Sequence, residues 1–284
     1  MTQKTTKNEG RQPTDIITKE HLEEFIATQD DFALELYVYD LARRAGFNPT
    51  HAGSYVDPST GKARQFDVQA SRACGENFHI HFAIECKALR PSFPLLVSQI
   101  PRIRAESFLH IMSSRGSGKD GMSIYPQTHI LTDGASLYPL SEFVGKALSQ
   151  VGFNGEGKLH SKDSEVFEKW GQAIASSNQL IKRAASLNRS MQKPLQNSAV
   201  LPVLVVPDGT LWVVNYSGLG DRTEPAQAQE AKYFIGSTQT IDEGQSVTFI
   251  LSHLHIVTKT GLEKLLLRFR EGGQDVEHIK NMLY

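Results

Sequence analysis

The sequence predicts an α/β protein in which a central mixed β-sheet, of the α+β kind, is flanked by helices. Segments with apolar residues at helical spacing alternate along the chain with segments in which every second residue is apolar. Hydrophobic residues make up 39% of the 284 residues and charged residues 21%, a composition typical of globular proteins. This length allows one large domain or two small ones, with enough interior for a substantial core.

Charge and cysteine content exclude several classes of protein. The 30 Lys and Arg residues against 31 Asp and Glu residues exclude a protein that binds nucleic acid by bulk positive charge. Cys74 and Cys86 are too few for a disulfide framework or a cysteine-based zinc site. The polar start lacks the apolar core of a signal peptide, and no apolar stretch is as long as a membrane span. We therefore expect a soluble, cytoplasmic protein.

Two helices are predicted near the start of the chain. Residues 1–14 are polar and without periodicity, so we expect a disordered tail. From Thr18 onward, apolar residues at helical spacing predict a short helix. Residues 31–45 form a strongly apolar segment that stops at Gly46, which predicts a largely buried helix with a glycine end.

Three strands are predicted next. Residues 47–55 and 63–71 have extended patterns and are separated by turn-forming residues, which predicts a hairpin. Residues 78–88 alternate strictly, so that one face is apolar while the other carries histidine, glutamate and lysine. We expect this third strand to present its polar face to a functional cleft.

The next part of the chain is harder to assign. Residues 89–163 contain several prolines and basic residues, and we interpret them as an insertion after the third strand. Within the insertion we expect a helix around 103–112, a strand over 123–132 and a helix over 141–150. A long helix is predicted over 164–188.

The C-terminal part again mixes strands and helices. Residues 200–206 and 211–216 flank a Pro-Asp-Gly-Thr sequence, which predicts a second hairpin. A loop should follow, then a strand over 247–257, a helix over 259–270 and a last short helix. The predicted organisation is thus a tail over 1–14, a domain over 15–216, and a C-terminal strand-helix extension over 217–284 packed on the same domain.

One group of residues suggests chemistry. Asp67 lies on the second predicted strand, and Glu85 and Lys87 lie near the end of the third. Side chains two apart on a strand share a face, so two carboxylates and an ammonium converge if Asp67 lies opposite Glu85. Such oxygens suit Mg²⁺, and a lysine beside them can orient or help deprotonate a metal-bound water. The pattern predicts a site for phosphodiester hydrolysis.

This arrangement resembles the PD-(D/E)xK nuclease superfamily, which has the restriction-endonuclease-like fold. The resemblance rests on a helix that bears Glu35, the segments GSYVDP and RQFDVQA, and a strand that ends in IECK, and it covers about residues 31–89. In such enzymes a helix precedes a mixed sheet, the Asp sits on the second strand and the E-x-K on the third. Phe66 stands where the proline of the motif's name is expected.

The resemblance implies a role for each matching position. Asp67 and Glu85 would bind Mg²⁺ or Mn²⁺, with the backbone carbonyl of Cys86 as a further ligand. Lys87 would be the water-orienting base, and Glu35 the additional acid at or near the metal. The alternative for the D…E-x-K pattern is solvated ion pairing on an edge strand. For Glu35 the alternative is a capping or salt-bridging role.

Further polar and basic residues are candidates for contacts with nucleic acid. They share the polar strand face or lie in stretches with few acids, and the alternative for all of them is simple solvation. These candidates are His79, His81, Gln69, Arg90, Arg102, Arg104, Lys119, Lys182 and Arg183.

The predicted function is that of a Mg²⁺-dependent DNA endonuclease in bacterial restriction, phage defence or repair. DNA would be its partner, with a second copy of the chain or another defence protein as a further one, and no membrane. Two alternatives stay open: a catalytically silent nucleic-acid-binding or scaffold protein of the same fold, and an RNA-directed nuclease, because the metal site reads phosphate rather than sugar.

Overall fold

The computed structural model of the chain describes residues 16–28, 30–57, 60–114, 127–132, 137–161, 164–186, 196–242 and 246–283. The predicted tail over 1–14 and the candidate Lys119 lie outside these residues. The chain divides into two compact units, residues 1–30 and 31–284. Among the described residues, no helix is both long and apolar enough to cross a membrane.

Five helices lie in the described parts of the chain. They are α1 (Lys19–Thr28), α2 (Asp31–Arg44), α3 (Ser164–Ser186), α4 (Lys259–Arg268) and α5 (Gln274–Leu283). Helix α1 belongs to the first unit and confirms the short helix expected after Thr18. Helices α2, α3 and α4 confirm the predictions over 31–45, 164–188 and 259–270 to within a few residues.

Fifteen strands lie in the described residues of the second unit. They are β1 (Asn48–His51), β2 (Ser54–Val56), β3 (Ala63–Gln65), β4 (Val68–Ala73), β5 (Phe78–Cys86), β6 (Leu95–Pro101), β7 (Phe108–Ser114), β8 (Gln127–Thr132), β9 (Phe143–Phe153), β10 (Leu159–Ser161), β11 (Gln196–Val206), β12 (Leu211–Asn215), β13 (Ala226–Gln227), β14 (Glu230–Asp242) and β15 (Ser246–Thr258). All but β2 and β3 belong to one large mixed sheet.

The end of α2 shows why the chain turns sharply into the first strand. Gly46 has a φ of +82°, a conformation that glycine adopts readily and other residues rarely adopt. A Cβ atom at this position would lie 2.7 Å from the guanidinium of Arg72, which donates a hydrogen bond to the Ala45 carbonyl. The glycine therefore allows both the turn and the close approach of β4.

The centre of the sheet has the strand order β1, β4, β5, β11, β15 and β14. Strand β4 runs antiparallel to β1 and β5, whereas β11 runs parallel to both β5 and β15. All eleven residues of β11 are buried, as expected for a central strand covered on both faces. The last strands of the chain therefore lie in the same sheet as the first.

The two faces of β5 pack against different helices. Phe82, Ile84 and Cys86 join a core with side chains from α2, α4 and α5. Ala83 joins a second core with Leu180 and other side chains of α3 on the opposite face. This alternation confirms the predicted division of the strand into an apolar face and a face that carries Glu85.

Two predicted helices are wrong. Residues 103–112 instead form a short 3₁₀ turn (Arg104–Glu106) followed by β7, and residues 143–150 of the second predicted helix belong to β9. In β9 a bulge at Lys146 inserts one extra residue opposite β6, between the positions that pair with Ser98 and Gln99. Because of the bulge, buried Gly145 and Leu148 face the same side of the sheet, opposite Gln99 and Val97, although they are three residues apart, and this spacing imitates a helix.

The predicted second hairpin is also wrong, although both of its strands exist. Strand β11 has β5 and β15 as neighbours, so β12 pairs instead with β6 and β13 at the far side of the sheet. The Pro-Asp-Gly-Thr turn closes locally, since the Thr210 hydroxyl donates to the Pro207 carbonyl over 2.7 Å. Strand β14 occupies part of the segment that the sequence pattern left as a loop.

Phe82 at the centre of the first core gives a test of this packing. Its ring centroid lies 5.5 Å from those of Phe47 and Phe269, both in edge contact. We expect Phe82→Ala to lower the free energy of unfolding by about 3–5 kcal/mol, because it removes buried contacts and leaves a cavity. Urea unfolding measures the change, with Phe153→Ala on an exposed ring as the control. Equal effects of the two substitutions would contradict the assignment of the core.

Candidate functional site

Asp67 and Glu85 meet where β4 begins and β5 ends. Val68 pairs with Ile84, and the same antiparallel register continued by one residue places Asp67 opposite Glu85. Asp67 Oδ2 accepts a hydrogen bond from the backbone amide of Cys86 over 2.7 Å. The structure thus brings together the two carboxylates that strand parity predicts, and the Cys86 peptide lies against them while the Cys86 side chain points into the opposite core.

Glu85 is completely buried and its carboxylate lacks hydrogen bonds. Among the described residues, neither of its side-chain oxygens has a hydrogen-bond partner, although the Lys169 ammonium lies 3.6 Å from Oε2, and the hydroxyl of buried Tyr55 has no partner there either. Burial, and after it the negative charge of Asp67, raises the pKa of Glu85 to about 9. Burial and the charge of Glu85 raise the pKa of Tyr55 to about 12. A buried carboxyl group without hydrogen bonds is costly, and such groups mark candidate functional sites.

The bend that carries Asp67 is fixed by aromatic packing. Phe66 packs with Tyr55 and with Ala175 of α3 in a small apolar cluster. A Cβ atom at Gly53 would lie 2.3 Å from the Phe66 ring, so the ring requires a glycine there. The bulky residue at the motif's proline position therefore holds the bend by packing.

Among the described residues, Lys169 of α3 forms ion pairs with both carboxylates. Its ammonium nitrogen lies 2.7 Å from Asp67 Oδ2 and 3.6 Å from Glu85 Oε2. Burial by itself lowers the pKa of Lys169, but the charge of Asp67, the hydrogen bond to it and the charge of Glu85 outweigh burial and raise the pKa. The side chain is therefore an ammonium at neutral pH.

Small side chains let α3 approach the sheet closely enough for this contact. Ala173, Ser176 and Ser177 are buried on α3, and Ala83 is buried on the face of β5 that α3 covers. The two serine hydroxyls both donate to the Ala173 carbonyl, so their hydrogen bonds are made within the helix and not with the sheet. Lys169 precedes Ala173 by four residues, which puts both on the sheet-facing side of α3.

Lys87 has different partners from those the sequence suggests. Its ammonium lies 3.4 Å from Asp31 Oδ2 and 3.2 Å from Glu165 Oε2, which are acids in the first turns of α2 and α3. Asp31 also accepts a hydrogen bond from the Ala88 amide over 2.5 Å. Among the described residues, Lys87 forms no ion pair with Asp67 or Glu85, so it lies beside the carboxylate pair but is turned toward the helix ends.

Glu35 lies close to the cluster but has its own partner. Its Oε2 is 2.9 Å from Nε2 of His51 on β1, which agrees with the salt-bridging alternative. Burial, and then the charge of Asp67, raises the pKa of Glu35 above its ordinary value. Because Glu35 is within electrostatic reach of Asp67, both a structural and an auxiliary role remain consistent with its position.

The two histidines of β5 lie away from the carboxylates. His81 is four residues from Glu85, or about 13 Å along an extended strand, and its ring lies 6.2 Å from that of His79. Burial, and then the charges of His79 and Arg183, lowers the pKa of His81 to about 4. Gln69, on the same face as Asp67, donates a hydrogen bond to Gln179 of α3 over 3.3 Å. The histidines therefore form a separate group at the other end of the strand.

The burial of Arg102 argues against a phosphate contact. Its side chain is fully buried, donates to the Pro139 carbonyl over 2.8 Å, and lies over the ring of Tyr138. It pairs with Glu142, which also accepts from Lys232. The remaining basic candidates within the described residues are exposed: Arg90, Arg104, Lys182 and Arg183.

The fit of this site to a metal ion depends on two carboxylates. No group of three or more His, Cys, Asp or Glu side chains in the described ranges is arranged to hold a metal ion. Mg²⁺ requires less, because it binds through one or two carboxylates and keeps several waters. The oxygens of Glu85 beside Asp67 suit such a hard cation, which would have to displace the ammonium of Lys169 from the two carboxylates. The donor set therefore fits Mg²⁺.

Lys169, Tyr55 and Asp31 are members of the site that sequence reasoning did not identify. The only sequence signal for Lys169 is its helical spacing with Ala173, Ser176 and Leu180, which indicates one common face. That spacing does not tell which strand the face covers. The contact between Lys169 and Asp67 spans 102 residues, and it is determined by tertiary packing.

A substitution of Glu85 tests its burial without any metal. In EDTA, Glu85→Gln is expected to raise the free energy of unfolding at pH 8 by about 1–2 kcal/mol, because a neutral amide avoids the cost of protonating the buried carboxyl group on folding. Since the folded pKa of about 9 exceeds the ordinary value of 4.5, the folded state binds the extra proton between these values. Wild-type stability therefore falls relative to the variant as pH rises through this window.

Urea unfolding of the wild type and Glu85→Gln at pH 5, 7 and 9 measures this difference. Glu263→Gln, at an exposed position of α4, is the matched control and should show no such trend. A Glu85→Gln variant that is destabilised at every pH would contradict the uncompensated burial of this carboxyl group.

Comparison with known proteins leaves the site as the guide to function. The chain matches no protein-family model, no curated protein and no solved structure. The features that bear on activity are accordingly the chain's own: a buried pair of carboxylates at the ends of adjacent strands, with an ammonium group in contact with both.

Proposed function

We propose that this chain is a Mg²⁺-dependent phosphodiester hydrolase of the PD-(D/E)xK type that cleaves DNA. The observation that carries the proposal is the meeting of Asp67 and Glu85 beside a lysine ammonium, with both Glu85 oxygens buried and without hydrogen bonds. Purely structural carboxylates are normally satisfied when buried. A buried carboxyl group without hydrogen bonds, such as Glu85 beside Asp67, suits a site in which a divalent cation completes the interactions.

The order of elements supports the same proposal. Helix α2 is followed by the antiparallel strands β1, β4 and β5, then by α3, and then by β11 parallel to β5. Asp67 precedes the second of these strands directly, and Glu85 lies near the end of the third. This is the arrangement that the resemblance implies for a restriction-endonuclease-like core, with α3 and β11 completing it.

Each residue of the site has a distinct proposed task. Asp67 and Glu85 would hold Mg²⁺, and the ion would supply Lewis-acid charge at the phosphate when bound. Asp67 is oriented for this by the hydrogen bond from the Cys86 amide. A lysine ammonium beside the carboxylates would orient the water and neutralise charge on phosphate oxygens. Glu35, held by His51, would adjust the charge near Asp67.

DNA is the proposed partner, and its backbone would contact exposed basic side chains. Arg90 follows β5 by four residues, and Lys182 and Arg183 lie near the end of α3. A few such contacts suffice to position a phosphate backbone. Bacterial restriction, phage defence or repair is the setting that the resemblance implies, with a second copy of the chain or a defence protein as a further partner.

A catalytically silent protein of the same fold is the second candidate. One observation favours it: Lys169 already lies within ion-pair distance of both carboxylates. A permanent ion pair would neutralise the site without a metal. Metal binding separates the two candidates, because a silent site has no requirement to exchange the ammonium for Mg²⁺.

The substitution Asp67→Asn tests the proposal. Purified protein with Mg²⁺ or Mn²⁺ is expected to cut supercoiled plasmid or linear duplex DNA in preference to structured RNA, and EDTA should stop the cleavage. Asp67→Asn should lower the cleavage rate on the order of 100-fold or more, since it removes one ligand of the metal. Asp221→Asn, at an exposed position away from the site, should cleave like the wild type.

Isothermal calorimetry with Mg²⁺ on the same three proteins supplies a readout without substrate. Binding to the wild type that is lost in Asp67→Asn supports the metal site. If the wild type cuts RNA but not DNA, RNA is the substrate. If the wild type neither cuts nucleic acid nor binds Mg²⁺, the result favours the silent protein.

A further inference from the structure

Two lysines lie near the carboxylate pair, and the structure distinguishes between them. Lys169 contacts Asp67 at 2.7 Å and Glu85 at 3.6 Å, whereas Lys87 contacts Asp31 and Glu165 at 3.4 and 3.2 Å. The sequence order places Lys87 in the E-x-K position. The ammonium that reaches the carboxylates belongs instead to a helix 82 residues further along the chain.

We infer that Lys169 is the lysine that acts on the reacting phosphate, and that Lys87 is a positioning residue. This inference rests on the proposed function. It assigns to α3 a chemical group that the strand motif would place on β5, and it gives Lys87 the task of joining β5 to the first turns of α2 and α3.

The rigidity of α3 supports a catalytic task for Lys169. The helix is fixed against the sheet by buried side chains, among them Leu180 and Ile181, which pack in one core with Ala83. It is also tied to the hairpin around Asp67, since Gln179 bonds both Gln69 and the Ser54 carbonyl. A side chain on such an element is held in place more accurately than one on a loop. Lys169 therefore keeps its ammonium at the carboxylates with little freedom.

The donor capacity of Lys169 also fits the task. An ammonium group has three donors, and Asp67 uses one of them at hydrogen-bond distance. The others are available for the attacking water and for a phosphate oxygen. In the reaction one water oxygen bonds to phosphorus and the bond from phosphorus to the leaving sugar oxygen breaks. The water loses a proton to solvent and the leaving oxygen gains one from solvent, while Lys169 stays protonated.

The contacts of Lys87 fit a positioning task instead. Asp31 and Glu165 are 32% and 49% exposed, so these ion pairs lie at the edge of the site. Through them Lys87 links the ends of three elements that carry site residues. Its loss should loosen α3 and α2 slightly, and a side chain that restores both ion pairs should restore the function.

Four substitutions separate the two roles. In single-turnover cleavage of duplex DNA, Lys169→Met should lower the rate on the order of 100-fold, with little change in KM. Lys87→Met should lower it by less than about tenfold, because partly exposed ion pairs are weak. Lys87→Arg should cleave at the wild-type rate. Lys169→Arg should remain much slower than the wild type, because the planar guanidinium does not reproduce the contact of a compact ammonium.

Calorimetric titration with Mg²⁺ gives a readout that does not depend on cleavage. Lys169→Met should bind Mg²⁺ more tightly than the wild type, because an ammonium no longer repels the cation or competes for Asp67 and Glu85. Lys87→Met should bind Mg²⁺ like the wild type. Circular dichroism and urea unfolding check that all four variants are folded.

The outcomes distinguish this inference from the proposed function. An active wild type that loses cleavage in Lys87→Met but keeps it in Lys169→Met would overturn the inference and leave the function standing. Unchanged Mg²⁺ affinity in Lys169→Met would also count against it. A wild type that neither binds Mg²⁺ nor cleaves would overturn the proposed function, and the catalytic role of Lys169 with it.

Discussion

The candidate site depends on the close packing of α3 against β5. Ala83 on the strand packs in one core with Leu180 and Ile181 of the helix, and Ala173 and Ser176 of the helix are also buried. This packing holds the helix where the ammonium of Lys169 contacts the carboxylate of Asp67. Tyr55 and Phe66 also pack against this helix, at Ala175, and they hold the bend before β4. A longer side chain at any of these contacts would lift the helix and separate the charges.

A buried carboxylate without hydrogen bonds persists only because the surrounding structure holds it there. Glu85 lies between two large cores, one shared with α2, α4 and α5 and the other with α3. Strand β11, buried along its whole length, pairs with β5 over nine residues and prevents the end of that strand from relaxing toward water. The large apolar interior thereby offsets a local arrangement that is unfavourable by itself, as is common where activity and stability compete.

The sequence predicts a segment well where local signals determine its structure, and poorly where residues distant in the sequence determine it. Helices α2, α3 and α4 follow from apolar spacing, and the meeting of Asp67 with Glu85 follows from strand parity and a hairpin. The bulge in β9 breaks the two-residue period, so a strand there resembles a helix. The pairing of β12 with β6 rather than with β11, and the reach of Lys169 to Asp67, depend on the whole sheet. No local pattern encodes such contacts.

The central position of β11 determines when the site can exist. Asp67 and Glu85 come from an early hairpin, but Lys169 lies on the helix that leads into β11, and β11 is in turn flanked by β15 near the end of the chain. Parallel pairing over such sequence separations is slow, because long loops must close before the contacts form. During synthesis the carboxylates would therefore remain separated from their cation until α3, β11 and β15 had also been made. Because the sheet closes late, a partly folded chain does not yet have a complete site.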